Sequence, residues 1–342
     1  ILVTKSLTIK GLGMNSTILR SNINTGTGHS NDASAWILTS PGTDVSVQEM
    51  TIDGNGKSIW TALRFKDGGL VDKVTFNDIK MPTYKGIAVQ VQDGEVDVTN
   101  CEFTQIGRIG VHFRNGVISG AVISGSFANN TYTGKGDGDW LDYAVDISGG
   151  TTVTVSDNTV TGNTGVASSD GSTSAGLLVT SYYPTPANSV GNNVTITGNT
   201  LTANTTGIAV GFNESDISTV VANGNKIYNN TSNGVISTAP VVDATGNWWG
   251  DVSGPTYAGN PCGAGDAISD NVLYDCWYNN SALDFLVCQV QEFEVLGTTS
   301  VCSGTNSATV SLDGSQSGGG NYDYIYSLYA NDVLLAGSET TR

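Results

Sequence analysis

The sequence predicts an all-β chain: a parallel β-helix of about nine coils, a C-terminal cap, and then part of a β-sandwich. Three observations carry this. A strand pattern recurs with steps of 22 to 29 residues, broken by a single step of 41. Glycine is abundant, 44 of 342 residues, without the period of collagen, which signals many turns between short strands. Charged residues make up only 13% of the chain, too few for solvated helices or a disordered polymer.

The repeat is clearest in VTVSDNTVTGN (153–163), VTITGNTLTAN (194–204) and VVANGNKIYNN (220–230). Each reads apolar, any, apolar, two residues, Asn, any, apolar, two residues, Asn. The first asparagine is Asn158, Asn199 and Asn225. Carried backwards, the column reads Asn130, Cys101, Val74 and Met50; carried forwards, it reaches Asn247. The long step, over residues 169–189, reads as a loop insertion. A second column begins with glycine and a short strand: GIAV (86–89), GVHF (110–113), GLLV (176–179), GIAV (207–210) and GVIS (234–237). Units of this length with two or three strands stack coil on coil, Val194, Ile196 and Leu201 inward and the intervening Thr outward. Asparagines stacked in register can bond amide to amide as a ladder. A propeller needs longer antiparallel blades, and a sandwich keeps no such column.

The chain opens on ILVTKSLTIKGLG, which reads as a first coil with Leu7, Ile9 and Leu12 inward. At the other end the repeat stops after Asn247. Trp248 and Trp249 follow as strand neighbours facing opposite sides. Trp249 takes the inward position and plugs the tube; Trp248 packs under the lid that follows. The boundaries expected are 1–250 for the coils, 251–286 for the cap and 287–342 for the sandwich, with a hairpin around Asn331 and Asp332.

Five cysteines without a CxxC favour disulfides in an oxidising compartment over zinc. The expected pairs are Cys262–Cys276 and Cys288–Cys302, with Cys101 a buried free thiol in the ladder column. Asn-x-Ser/Thr sequons begin at Asn15, Asn129, Asn193, Asn204, Asn213, Asn229, Asn230 and Asn279. They are candidate glycosylation sites on a secreted protein. No apolar run reaches membrane-spanning length. A net charge of −17 argues against a nucleic-acid partner.

The repeat resembles the right-handed parallel β-helix proteins of the pectin-lyase-like superfamily, over about residues 1–285. The run NWWG…SGP…NP…GD.IS.NVLY resembles the C-terminal end of bacterial surface β-helix proteins. The segment from Glu292 resembles the start of the immunoglobulin-like (Ig-like) repeats of large secreted surface proteins. The superfamily hosts lyases, hydrolases, epimerases and non-catalytic surface proteins, so the resemblance implies a fold more than an activity. The pectate-lyase motifs WiDH and RxPxxR are missing, as are the NTD, DD, HG and RIK segments of polygalacturonase-like hydrolases. TGHSND (27–32) holds a histidine and an aspartate without the flanking pattern. No catalytic residue is therefore carried over.

Two groups of residues hold candidate chemistry. Even-numbered positions of the second column face outward and bring together Arg64, Lys66, Gln90, His112, Arg114, Asp142 and Asp146, with Arg108 just before. Cations to neutralise a uronate carboxylate and a base to take its α-proton are what β-elimination needs. The bland alternative is a solvated face of paired charges. In GKGDGDWLD (134–142), Asp137, Asp139 and Asp142 could ligate calcium, though without EF-hand spacing; a solvated acidic loop is the alternative. No other cofactor is expected. The function expected from the sequence is a secreted or cell-surface structural or adhesive module. Its expected partners are copies of itself, head to tail in a fibre, and surface glycans. The alternative is a lyase or binder of acidic polysaccharide using the Arg64–Asp146 face. The abrupt ends suggest a segment of a longer secreted protein.

Overall fold

The computed structural model describes residues 1–82, 85–182 and 190–288, and six short strands beyond them. The chain divides into two compact units, Ile1–Cys288 and Gln289–Arg342. Among the described residues the one helix is a 3-10 turn, Asp32–Ser34, and no helix is long and apolar enough to cross a membrane.

Unit one is a parallel β-helix. Nine strands, one per coil, stack in chain order into a single parallel sheet: Leu2–Val3, Ala35–Thr39, Thr61–Phe65, Ile87–Val91, Ile109–Arg114, Tyr143–Ser148, Ala175–Thr180, Thr206–Val210 and Asn233–Ser237. The return strands of each coil, such as Thr152–Ser156, Asn193–Thr197 and Thr219–Asn223, pair in register into the second sheet. The core is a column of Val, Ile, Leu and Phe with almost no exposure. Its apolar burial is the main force holding the coils together. The 41-residue step is split by the strand Ala175–Thr180, so the extra length lies on both sides of it rather than in one loop.

The asparagine column exists because the chain turns a corner there. The residue before each ladder position has positive φ: Glu49, Lys73, Asn100, Asn129, Asp157, Gly198, Gly224 and Gly246. Asn and Gly tolerate this left-handed conformation best. The turn takes the next residue's backbone N–H out of the sheet, and the neighbouring coil's Asn side chain satisfies it. Asn130 N, Asn158 N, Asn199 N and Asn225 N donate to Oδ1 of Asn158, Asn199, Asn225 and Asn247 at 2.8, 3.0, 3.0 and 2.8 Å. The Nδ2 groups bond the same acceptors at 3.1, 2.8, 2.9 and 3.0 Å. The ladder ends on Cys101, whose N–H bonds Asn130 Oδ1; its thiol is free and buried, and burial pushes it up to about 12. A second ladder runs through the later asparagine of the repeat: Asn163 to Asn204 to Asn230, closed by Asp266.

Several expectations are corrected. Asn204 and Asn230 are ladder members, 0% and 9% exposed, so neither can carry a glycan in the folded protein. Asn15, Asn129, Asn193 and Asn229 are exposed, and Asn213 and Asn279 half-buried. Leu12 lies in a turn and is 89% exposed rather than inward; Leu7 is 43% exposed, and only Ile9 packs on the core. Trp249 is fully buried, as expected of the inward position, while Trp248 is half-buried and its backbone bridges Lys226 of the preceding coil. Filling the inward position with an indole contributes about 2–3 kcal/mol. The repeat does not stop at Asn247, however. Val235 bridges Ile268, Val242–Asp243 pairs with Val272–Leu273, and Asn247 bridges Trp277, so the cap continues the coil. It closes with an antiparallel hairpin, Cys276–Tyr278 against Leu286–Cys288. That hairpin sets Cys276 directly opposite Cys288, Cα atoms 4.0 Å apart, and these two form the disulfide. Both expected pairs are thereby excluded: Cys262 is a free, exposed thiol, and Cys302 lies outside the described residues.

In unit two, Val295–Gly297 pairs with Val310–Leu312, Tyr324–Tyr326 with Glu339–Thr341, and Tyr329–Ala330 with Val333–Leu334, all antiparallel. In the last pair only Asn331 and Asp332 separate the strands.

Candidate functional site

In-register stacking makes rows of outward side chains on the nine-stranded sheet. One row runs Arg64, Gln90, His112, Asp146, Leu178, Ala209, Ile236. These outward polar residues are not a solvated face. Arg64 and Gln90 are 0% exposed, His112 2% and Asp146 8%, because residues 26–34 roof the first part of the row.

The roof is bound to the sheet by the very residues expected to be free. Arg64 Nη1 donates to Asn31 O at 2.8 Å and Nη2 to Ser34 Oγ at 2.6 Å; its Nε donates to Gln90 Oε1 at 2.8 Å. Burial lowers the Arg64 guanidinium to about 10, the Asp32 carboxylate opposing the shift. Lys66 pairs with Asp32 at 2.6 Å, and Gln92 Nε2 donates to His29 O at 2.6 Å. Arg64 and Lys66 are thus structural anchors. Gln90 spends its oxygen on Arg64, so its amide nitrogen must be the donor to His29 Nδ1, 3.0 Å away. That assigns the ring proton of His29 to Nε2.

The roof places His29 at a cavity of about 120 Å³ lined also by Lys85, Arg108, His112, Arg114, Asp146 and the apolar Ile87 and Ile109. His29 meets His112 edge-to-face, centroids 5.6 Å apart. Burial first, and then the neighbouring His112 ring and the cations Arg114, Lys85 and Arg64, which all disfavour a further positive charge, lower His29 to about 2. Burial, then Arg114, Arg108 and Lys85, holds His112 well below the usual histidine range. Both rings are neutral at pH 7. Both ring nitrogens of His112 are buried and lack a hydrogen-bond partner among the described residues. Its Nε2 stands 3.6 Å from Asp146 Oδ2. Burial raises the Asp146 carboxyl, against the Ser148 hydroxyl and the cations Arg108, Arg114 and Lys85.

Lys85 forms no ion pair among the described residues and lies 5.8 Å from the centre of the Trp60 ring. Burial, with Arg108 and Arg114 next, lowers it to about 8. Arg108 sits 5.6 Å from the Trp140 ring centre, and its Nε is buried without a partner among the described residues. Three cations face one carboxyl, in a chain of net charge −17. Such a cluster of cations focuses positive potential and suits an anion.

Asp142 is absent from the cavity. Asp142 precedes the strand Tyr143–Ser148, so the alternation of that strand does not reach it. It turns inward, accepting from Tyr132 Oη at 2.5 Å and Lys135 N at 2.8 Å. Burial raises its carboxyl. The calcium set falls apart with it. Asp139 accepts from Ser168 N and Oγ, Asp137 is exposed, and no group of three or more His, Cys, Asp or Glu could hold a metal among the described residues. Conversely, His29 and Lys85 join the site unforeseen. TGHSND was the available signal for His29; Lys85 had none.

The family comparison agrees with this fold. Residues 62–248 match the family described as right handed beta helix region, and the chain belongs to that family. No curated protein matches it. Among solved structures it is similar to the periplasmic alginate epimerase AlgG, with 12% identity and a TM-score of 0.48, over 72% of this chain and 55% of that one. The chain thus spans about half the length of AlgG.

Proposed function

We propose that the chain acts on an acidic polysaccharide, by abstracting the proton α to a uronate carboxylate and eliminating the neighbouring glycosidic oxygen. The observation that carries this is the convergence of Lys85, Arg108 and Arg114 on one cavity with a neutral, unbonded His112. Arg108 and Arg114 hold the carboxylate and neutralise the charge that builds up on it as the α-proton leaves. His112 takes that proton, and Asp146 stabilises the imidazolium formed. The electron pair of the broken C–H bond becomes a C=C bond, the C–O bond to the next sugar breaks, and the Lys85 ammonium protonates the departing oxygen. The cavity volume of about 120 Å³ admits the carboxylate end of a sugar, and neighbouring rings lie outside it. The Cys276–Cys288 disulfide favours work outside the reducing cytosol.

The test is incubation with polygalacturonate, alginate and glycosaminoglycans, following unsaturated product in the ultraviolet and binding by calorimetry. Turnover or binding on at least one polyuronate, lost in Arg108→Leu, is expected. A protein that neither binds nor cleaves any of them refutes the reading.

A second reading, a presenting rod that associates with its own copies and displays surface glycans, draws on the exposed Leu2, Leu7 and Leu12 of the first coil. Sedimentation velocity across a concentration series tests it: a single species throughout excludes association.

A further inference from the structure

The two sides of the cavity differ. Towards the first coils, the row from His112 continues into Gln90 and Arg64, both fully buried under residues 26–34. That roof is not a loose flap. Arg64 holds it through Asn31 and Ser34, Lys66 through Asp32, and Gln92 through the backbone of His29. Towards the cap, the same row continues as Asp146, Leu178, Ala209 and Ile236, and the last three are half-exposed. The three coil steps from Asp146 to Ile236, at ~4.8 Å each, give a floor of roughly 14 Å, room for two or three sugar rings. Beside this floor, two residues past Thr180 and Val210, the rings of Tyr182 and Phe212 meet with centroids 4.4 Å apart; Phe212 is 56% exposed. A shallow depression lined by Asn213, Glu214, Ser215 and Thr238 adjoins it in sequence. An exposed aromatic ring beside polar groups is a stacking platform for a sugar face.

We infer that the cavity receives the terminal uronate of a polysaccharide, its chain running along the Leu178–Ala209–Ile236 floor with a sugar ring on Phe212. The inference rests on the acidic-polysaccharide reading above. A blind wall at His29 leaves no path for a chain to continue past the cavity in that direction. An internal residue would need to extend both ways, and the anchored roof stands where one arm would lie.

The experiment is calorimetric titration of the full chain with oligouronates of increasing length, supported by size analysis of any products. End recognition predicts one protein bound per oligosaccharide at every length, and products that are short from the first time point. Phe212→Ala should weaken binding of long oligomers about 3- to 10-fold and leave a disaccharide unaffected. A stoichiometry that rises with chain length, or mid-sized products with a rapid fall in viscosity, overturns the inference while leaving the functional reading intact. Equal weakening of the disaccharide by Phe212→Ala removes the platform from the proposal. No binding to any oligouronate sinks both.

Discussion

His112 and Asp146 are partners across adjacent parallel strands, with Nε2 of the imidazole 3.6 Å from Oδ2 of the carboxyl. Neither is solvated and neither is balanced by the other alone. Burial favours the neutral form of each, and the surrounding cations Arg108, Arg114 and Lys85 act on both. An anion entering the cavity, as proposed, would meet Lys85, Arg108 and Arg114 together.

Affinity for that anion should therefore follow Lys85. Its ammonium is lowered to about 8, so its charge is present at neutral pH and lost as the pH rises through about 8. Polyuronate binding is expected to weaken about five- to tenfold between pH 7 and pH 9. Lys85→Met should bind weakly at pH 7 and show no such step. A wild-type affinity that stays flat across this range would remove Lys85 from the site.

The ladder makes a prediction about stability. Asn199 Oδ1 accepts from both N and Nδ2 of Asn158, and its own amide donates to Val155 O and Asn225 Oδ1. Asn199→Leu strands several buried polar groups at once and should cost about 3 kcal/mol or more. Thr200→Leu, half-buried on the outer side, should stay within about 0.5 kcal/mol. Chemical denaturation of the two variants decides it; equal midpoints would mean that the ladder contributes nothing.

How much of this was legible in the sequence depends on how local the cause is. The coils and the asparagine column could be read because one corner, a left-handed residue followed by a satisfied amide, repeats at a near-constant step. Asn163, Asn204 and Asn230 follow the same rule, each after a left-handed residue, but their Asn-Thr context is shared with exposed sequons and does not announce burial. Outward residues within a strand follow from alternation; Asp142 lies before its strand, where alternation does not apply, and turns inward to Tyr132. The roof was beyond reach. Nothing local to Arg64 says that residues 26–34 fold back over it, so a buried anchor read as a free cation. The disulfide likewise follows from a hairpin that irregular cap sequence does not announce.

The sequons should divide by burial. Produced in a host that glycosylates Asn-x-Ser/Thr, the folded chain should carry glycans at exposed positions such as Asn129, Asn193 and Asn229, and none at Asn204 or Asn230. Glycopeptide mass spectrometry reads this directly. A glycan on Asn204 would be incompatible with its bonds to Asn163 and Asn230.

Acid should test the burial of the two histidines. His29 is lowered to about 2 and His112 well below its ordinary value. In the unfolded chain both titrate near 6.5. Below that pH the unfolded state binds protons that the folded state refuses, so the stability these rings contribute is present above about 6.5 and lost as the pH falls. The ceiling is about 1.4 kcal/mol per pH unit for each ring. Asp142 and Asp146 work in the opposite sense, since their raised folded values let the native state take up protons first. The histidine contribution must therefore be isolated by comparison. Melting temperatures of the wild type and of His29→Gln/His112→Gln are measured from pH 7 to pH 5. The wild type should lose more stability than the variant over that interval, most steeply below pH 6. Parallel curves would show that the rings are protonated in the folded protein, and with it that His112 is no neutral base at the cavity.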